Sequence, residues 1–199
     1  PEKRSANFPL NLLGAKAKVH YQPYGVVGII SPWNFPVNLS IGPLVDAFSA
    51  GNAGMIKLSE FVPSTSRLLE QLICEKFDES EVVVINGGMQ TSIDFTKLPF
   101  DHLIYTGSTD IARKVSSEAA KNLVPLTLEL GGKSPTILSN GASIDKSVNK
   151  ILFGKLLNGG QICVSPDYSF IPEQKVEQFI ETSRNFISEK FPTIKNNPD

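Results

Sequence analysis

Short apolar runs alternate with stretches of helical spacing along most of the chain. The runs are rich in Val, Ile and Leu and are bounded by Gly, Pro or polar residues, as is typical of strands buried in a sheet. They predict strands at Val26–Ile30, Ala53–Leu58, Val82–Ile85, His102–Thr106, Val124–Leu130 and Thr136–Leu138. Helical spacing lies between and after them, at residues 64–77, 110–120, 144–157 and 173–190. This alternation predicts an α/β fold with a doubly wound, mostly parallel sheet.

Two of the predicted helices have a defined apolar face. In residues 64–77, Ser64 is the expected N-cap, and the face comprises Leu68, Leu69, Leu72, Ile73 and Phe77. In residues 173–190 the face comprises Val176, Phe179, Ile180 and Ile187. Ligands of doubly wound sheets lie beyond the carboxyl ends of the strands. Polar residues at strand ends are therefore the first candidates for a functional site.

The composition excludes several classes of function. The chain has 199 residues, 41% of them hydrophobic and 20% charged, with a formal net charge of −1. Without a basic stripe there is no electrostatic case for binding nucleic acid or an anionic membrane surface. No apolar run approaches the roughly 18–20 residues that span a bilayer. Two cysteines favour a reducing compartment, so we expect a cytoplasmic protein. The chain does not begin with Met, which leaves an upstream targeting segment open.

Cys163 is a candidate nucleophile in the glycine-rich segment NGGQIC, residues 158–163. It would need local activation, because a free thiol is only a few per cent thiolate at neutral pH. The competing interpretation is a buried, unreactive thiol. That interpretation fits Cys74, which lies beside Ile73 inside a predicted amphipathic helix.

Glu129 and Asn34 have residue types that could serve such a nucleophile. Glu129 lies in the apolar run LTLEL, where a carboxylate is costly unless it is paired or protonated. That setting suits a general base, although an edge-strand glutamate facing water is the alternative. Asn34 lies in SPWNFP, whose two prolines restrict the turn. A fixed side-chain amide can stabilise an oxyanion, although an ordinary turn asparagine is the alternative.

Charged and glycine-containing strand ends suggest a nucleotide site. Lys57 and Glu60 end one strand and could contact ribose or phosphate, or could be two solvated charges. Gly107-Ser108 follows another strand and opens a helix, whose N–H groups could meet a pyrophosphate. The two histidines are far apart in sequence, and we predict no metal site.

Together these segments resemble the aldehyde dehydrogenase superfamily. The matching phrases are PYGVVG (23–28), PWNFP (32–36), KLSE (57–60), TGS (106–108), ELGGKSP (129–135) and GQIC (160–163). Residues 98–109 and 163–168 look closest to the coniferyl aldehyde dehydrogenase-like branch. One departure is Ala112, where the family pattern usually has Gly.

The resemblance implies NAD(P)-dependent oxidation of an aldehyde to a carboxylic acid. Cys163 would attack the aldehyde, with the Asn34 amide and the Cys163 backbone N–H stabilising the thiohemiacetal oxyanion. Hydride would pass to the nicotinamide, and Glu129 would activate the water that hydrolyses the thioester. The implied cofactor-binding residues are Ser31, Pro32, Trp33, Lys57, Glu60, Gly107, Ser108, Leu130 and Gly131. Because the Glu60 carboxylate would repel a 2′-phosphate, NAD is expected, with NADP as the alternative.

The resemblance also divides the chain into parts. It implies an entry segment at residues 1–18, a Rossmann-like NAD(P)-binding domain at 19–129, and the beginning of a catalytic domain at 130–199. Family members run well over twice this length, and the intact enzyme is expected to be a homo-oligomer, a dimer. An alternative function from a different class remains open. The chain could be a catalytically inactive fragment that only binds nucleotide or assembles with a partner. A cysteine hydrolase is disfavoured, because no histidine is placed in sequence to suggest a Cys–His pair.

Overall fold

The computed structural model describes residues 2–192. It divides the chain into two compact units, Pro1–Glu129 and Leu130–Asp199. The roles predicted for residues 1–18, 19–129 and 130–199 remain predictions.

The first unit is an α/β arrangement around one central sheet. Two short strands, β1 (Glu2–Arg4) and β2 (Ala17–Val19), pair antiparallel near its N-terminus. The remaining elements are β3 (Val26–Ile30), α1 (Asn38–Ser49), β4 (Ala53–Lys57), α2 (Pro63–Lys76), β5 (Val82–Ile85), α3 (Met89–Thr96), β6 (His102–Gly107), α4 (Thr109–Ala120) and β7 (Leu126–Leu130).

The central sheet has the strand order β5-β4-β3-β6-β7. Strand β3 pairs in parallel with β4 and β6, and β4 pairs in parallel with β5. The predicted α/β class and mostly parallel sheet are thus confirmed. The chain runs outward from β3 to β5 and then returns to β6 on the other side of β3. The strand order therefore reverses between β3 and β6, and the segments after these two strands leave the sheet at one edge.

A buried apolar cluster joins β3, β4 and β5 to α1 and α2. Its members are Val27, Ile29, Leu44, Ala47, Ile56, Leu58, Leu69, Ile73, Val82 and Val84. The strand residues belong to the apolar runs from which the sheet was predicted. The cluster anchors the strands whose carboxyl ends carry the candidate site.

Helix α2 differs from the prediction at its start and on its surface. Pro63 is its first residue and Val62 is the N-cap, so the prediction of Ser64 as N-cap was wrong. Proline suits the first helical position because its missing N–H would have no partner there and its φ is already helical. Leu69 and Ile73 are buried, whereas Leu68, Leu72 and Phe77 are exposed. The buried face is narrower than the pattern indicated.

The second unit is built on a small sheet and two helices. Its elements are β8 (Ser134–Ile137), α5 (Ile144–Leu156), a 3₁₀ helix (Leu157–Gly160), β9 (Pro166–Phe170), a 3₁₀ helix (Glu173–Lys175) and α6 (Val176–Lys190). Strands β8 and β9 are parallel, with an irregularity between Ser134 and Pro135.

A small core joins α5 and α6 in this unit. Leu138, Ile144 and Val148 are buried, and Phe179 and Phe186 pack against them. Ile180 and Ile187, predicted on the same face as Phe179, are exposed instead. Within residues 2–192, the helices are all too short or too polar to cross a membrane.

Candidate active site

The loop after β3 places Asn34 at the edge where the strand order reverses. Ser31 is buried, and its backbone N–H donates to the Lys57 carbonyl at 3.1 Å. Pro32 and Asn34 are half-buried, while Trp33 is exposed. The segment therefore begins on a fixed strand end and presents its tryptophan to solvent.

Lys57 is the most informative residue of this edge, because its side chain is only 1% exposed. Its Nζ donates to the Leu58 carbonyl at 2.6 Å and lies 3.9 Å from Oε2 of Glu60. Burial lowers the pKa of the Lys57 ammonium, and the Glu60 carboxylate opposes that shift. The alternative of two solvated charges is wrong for Lys57, because its side chain is buried at the end of β4. Glu60, whose side chain is 37% exposed, can still meet solvent or a ligand.

An ammonium group has three N–H donors. Within the described residues, the Lys57 ammonium makes a hydrogen bond to one carbonyl, that of Leu58. A buried cation with so few partners is costly unless a further acceptor approaches. Lys57 thus has the burial and the spare donors expected of a ligand-binding residue.

Gly107 and Ser108 form the junction between β6 and α4. A side chain at Gly107 would collide with the phenol of Tyr105, so the position requires glycine. The Tyr105 hydroxyl donates to the Ser108 carbonyl at 3.3 Å. Ser108 is the N-cap of α4, its Oγ accepting from the Ile111 N–H at 3.4 Å. Ala112 is buried in α4, one turn beyond the cap.

Two hydrogen-bonded groups at this edge were not predicted from the sequence. Asn86, directly after β5, donates to Oε2 of Glu70 at 2.7 Å and to the Ser66 carbonyl at 3.3 Å. Ser66 in turn donates to the Ser59 carbonyl at 3.1 Å, which holds the turn that carries Glu60. The Asn-Gly-Gly sequence after a strand was the available signal for Asn86.

The second group comprises buried hydroxyls near the Asn34 loop. Oγ of Ser40, in α1, lies 2.7 Å from Oγ of Ser31 and 2.5 Å from the Pro36 carbonyl. A serine in the first turn of a helix gives no sequence signal for such contacts.

Glu129 lies on β7, which is the last strand of the sheet. It is exposed, which agrees with the alternative of an edge-strand glutamate facing water and not with a carboxylate buried in an apolar strand. Among residues 2–192, β7 has a neighbouring strand on one side only. Leu130 is half-buried and Gly131 exposed. A Cβ at Gly131 or Gly132 would meet no atom within 4 Å among the described residues.

Cys163 lies in the second unit, in a loop held against the end of α5. Asn158, Gly159 and Gly160 have φ values of 50°, 62° and 78°, three successive left-handed residues. The Gln161 N–H donates to the Asn158 carbonyl at 3.1 Å, which closes the turn. The Cys163 thiol is exposed.

Cys74 is also exposed, so the expectation that it is a buried thiol was wrong. Its neighbour Ile73 takes the buried side of α2, and the next residue of a helix points about 100° away. Exposure alone therefore does not distinguish the two thiols.

The described residues bring part of the predicted site together. Ser31, Asn34, Lys57, Gly107 and Ser108 share one edge of the first unit's sheet. Cys163 belongs to the second unit, and its convergence with Asn34 and Glu129 stays a prediction. Among residues 2–192 no group of three or more His, Cys, Asp or Glu side chains could hold a metal ion.

Comparison with known sequences places the chain among enzymes of one kind. A model of the Aldehyde dehydrogenase family matches residues 3–192. The chain is 52% identical over 200 residues to the "Probable coniferyl aldehyde dehydrogenase" of Caulobacter vibrioides, covering all of this chain and 41% of that protein. It is 47% identical over 199 residues to the coniferyl aldehyde dehydrogenase of Pseudomonas sp. strain HR199, covering all of this chain and 40% of that protein. The chain thus spans about two fifths of the length of these relatives.

Solved structures of aldehyde dehydrogenases are also similar to this chain. Staphylococcus aureus AldH in a substrate-bound state superposes with a TM-score of 0.92 at 38% identity, over all of this chain and 43% of that chain. The Mycobacterium tuberculosis aldehyde dehydrogenase complexed with NAD+ superposes with a TM-score of 0.84 at 30% identity, over 94% of this chain and 38% of that one.

Proposed function

The chain belongs to the aldehyde dehydrogenase family, and on that premise we propose that the complete protein oxidises an aldehyde to a carboxylic acid with NAD(P). The reaction proceeds through a thiohemiacetal and then a thioester on Cys163. The observation that carries the proposal is the family's ordered set of phrases, several of which meet at the edge of the sheet where the strand order reverses.

The residues at this edge fit a dinucleotide. The buried Lys57 ammonium has donors to spare for ribose hydroxyls, and the partly exposed Glu60 carboxylate can accept from a ribose hydroxyl. Gly107 and Ser108 lead into α4, where a pyrophosphate would meet backbone N–H groups. Ser31, Pro32, Trp33, Leu130 and Gly131 complete the proposed cofactor-binding residues. When bound, NAD supplies the acceptor for the hydride that leaves the aldehyde carbon.

Cys163 acts as the nucleophile. Its thiolate sulfur bonds to the aldehyde carbon, and the carbonyl π electrons move onto oxygen. The side-chain amide of Asn34 and the backbone N–H of Cys163 donate to that oxyanion. Fixed donors aimed at a developing charge stabilise the transition state more than the ground state.

Glu129 acts as the general base in the second half of the reaction. It removes a proton from the water that attacks the thioester carbon, and Cys163 leaves as thiolate. This role distinguishes hydrolysis from transfer of the acyl group to another acceptor, which needs no water-activating base.

The cofactor is proposed to be NAD, with NADP as the second choice. A carboxylate close to the ribose disfavours a 2′-phosphate by like-charge repulsion. The Glu60 carboxylate, 3.9 Å from the Lys57 ammonium, is the group proposed to repel the 2′-phosphate.

The substrate class is proposed from the names of the relatives. Two of them are called coniferyl aldehyde dehydrogenases, at 47% and 52% identity. We therefore propose that the protein accepts aromatic aldehydes of the coniferyl type. The complete protein is also proposed to be a cytoplasmic homodimer.

The experiment is NAD(P)H formation by the complete protein, followed at 340 nm with coniferyl aldehyde, benzaldehyde and an aliphatic aldehyde. We expect reduction of NAD in preference to NADP, and faster turnover with the aromatic substrates. Absence of reduction with every aldehyde, in protein shown to bind NAD, would favour the alternative of an inactive nucleotide-binding or assembly module.

A further inference from the structure

Ser40 is a buried hydroxyl that none of the proposed steps uses. It lies in α1 and its side chain is 0% exposed. Its Oγ is 2.7 Å from Oγ of Ser31 and 2.5 Å from the carbonyl oxygen of Pro36. These two partners lie on either side of Asn34 in sequence, at the first and last residues of the segment SPWNFP.

The proton arrangement of this group follows from the donors available. Each serine hydroxyl has one proton and two lone pairs, whereas the Pro36 carbonyl can only accept. Both contacts can be hydrogen bonds together when the Ser31 hydroxyl donates to Ser40 and the Ser40 hydroxyl donates to Pro36. One oxygen thus links both ends of the segment, in a place that water does not reach.

The ends of the segment are fixed by further contacts. The Ser31 N–H donates to the Lys57 carbonyl at 3.1 Å, and the Leu39 N–H donates to the Phe35 carbonyl at 2.9 Å. These bonds tie the segment to β4 on one side and to the first turn of α1 on the other. The Ser40 hydroxyl contacts both ends of the segment directly.

We propose that Ser40 is a positioning residue for the oxyanion-binding amide of Asn34. It sets the separation of Ser31 and Pro36 and so fixes the loop between them. The proposal rests on the function proposed above, because it acts through Asn34. An error of about 1 Å in placing a catalytic group can cost on the order of 10²-fold in rate, so a hydroxyl that fixes the loop affects turnover without touching substrate.

The test is Ser40→Ala in the complete protein, with Ser49→Ala as its matched control. Ser49 lies in the same helix and its Oγ donates to the Val45 carbonyl, four residues earlier, at 2.7 Å. Ser40 and Pro36 have the same four-residue spacing, but Ser49 is exposed and far along α1 from the segment. We expect Ser40→Ala to lower kcat at saturating NAD roughly 10-fold, and Ser49→Ala to leave kcat unchanged. Equal rates for the two variants would overturn the proposal.

A double-mutant cycle with Asn34→Ala shows whether Ser40 acts through Asn34. Asn34→Ala alone is expected to lower the rate of hydride transfer by roughly 10²–10³. Adding Ser40→Ala to that variant should then have almost no further effect, because the amide that Ser40 positions is gone. If Ser40→Ala lowers the rate of the Asn34→Ala variant as much as it lowers the wild-type rate, Ser40 acts elsewhere.

A second variant at Ser40, of similar volume, tests the proposal if Ser40→Ala does not fold. If thermal unfolding shows that Ser40→Ala does not fold, Ser40→Cys retains a side chain of similar size with a weaker donor. We expect an intermediate kcat for it, and a wild-type kcat contradicts the proposal. Failure of the proposed function gives different results. Wild-type protein that does not oxidise aldehydes would reject the proposed function, and an unchanged rate for Asn34→Ala would reject the oxyanion role of Asn34.

Discussion

Lys57 is the residue whose surroundings depart furthest from those of an ordinary surface lysine. Its stem fills the end of β4 among buried apolar residues, yet its ammonium has one carbonyl as a hydrogen-bond acceptor within the described part of the chain. Such an arrangement is costly for the folded protein by itself. We interpret that cost as the consequence of keeping a cation ready for the cofactor.

NAD affinity should therefore depend on pH through Lys57. The ammonium donates more strongly than the neutral amine, so affinity falls as pH rises through the pKa of Lys57. Burial lowers that pKa, so the fall begins below the pH at which an exposed lysine titrates. We expect Lys57→Met to bind NAD roughly 10- to 100-fold more weakly and without this alkaline decline, as for loss of a charged hydrogen bond.

The measurement is NAD titration by protein fluorescence between neutral and alkaline pH. Lys76→Met is the control, because Lys76 is an exposed lysine at the end of α2. A similar alkaline decline in the Lys57→Met variant would assign the titration to another group.

At the level of the elements, side chains beside β3 pack closely over Gly28. A Cβ there would lie 2.8 Å from side-chain carbons of both Leu103 and Phe100. We expect Gly28→Ala to lower the free energy of unfolding by about 1–3 kcal/mol through overpacking. Gly42→Ala is the matched control, since Gly42 is in α1 and a Cβ there meets no described atom within 4 Å.

Urea denaturation of both variants measures this difference. Gly42→Ala should change stability by less than about 1 kcal/mol, because the gain in helix propensity is opposed by the restriction that Pro43 places on the residue before it. If the two variants have the same free energy of unfolding, β3 can move away from β6 without destabilising the protein.

The elements of the sheet were predictable because each central strand is a continuous apolar run between helices. Helices and strands were harder to predict where the apolar residues form no periodic pattern. Helix α3 has eight residues with few apolar positions, and β9 begins at a proline, so neither was predicted. The start of α2 was misjudged because Pro63 itself is the first helical residue.

The candidate site was predictable only as a set of residue types. SPWNFP, KLSE and Gly107-Ser108 were identified at strand ends, and parallel strands bring such ends to one edge. Burial could not be read from the sequence in the same way. Cys74 was expected to be buried and is exposed, and Glu129 was left open between burial and an edge strand facing water. Exposure depends on which strand ends the sheet and on which side of a helix packs.

At the scale of the whole molecule, the second unit has a large apolar surface. Ile137, Phe153, Val164 and Phe170 are between 58% and 75% exposed. A groove of about 740 Å³ is lined by Phe153, Leu156, Leu157, Phe186 and Phe191 together with polar residues. Apolar surface of this extent favours association.

We therefore expect the isolated 199-residue chain to self-associate and to have little dehydrogenase activity. Catalysis depends on placing Cys163 to within about 1 Å, and association through this apolar surface would disturb the unit that carries it. Light scattering with size-exclusion chromatography measures the association, and NADH formation measures activity. A monomeric chain with turnover equal to that of the complete protein would contradict this expectation.

Cys163 is proposed to form the covalent bond to the aldehyde. Cys74, which is also exposed, is the control for its substitution. The most direct measurement is NADH formation by the complete protein carrying Cys163→Ala or Cys74→Ala, at saturating NAD and coniferyl aldehyde. We expect Cys163→Ala to fall to the background rate while still binding NAD, because no other group supplies the thioester. Cys74→Ala should retain the wild-type rate. Sustained NADH formation by Cys163→Ala would contradict the account.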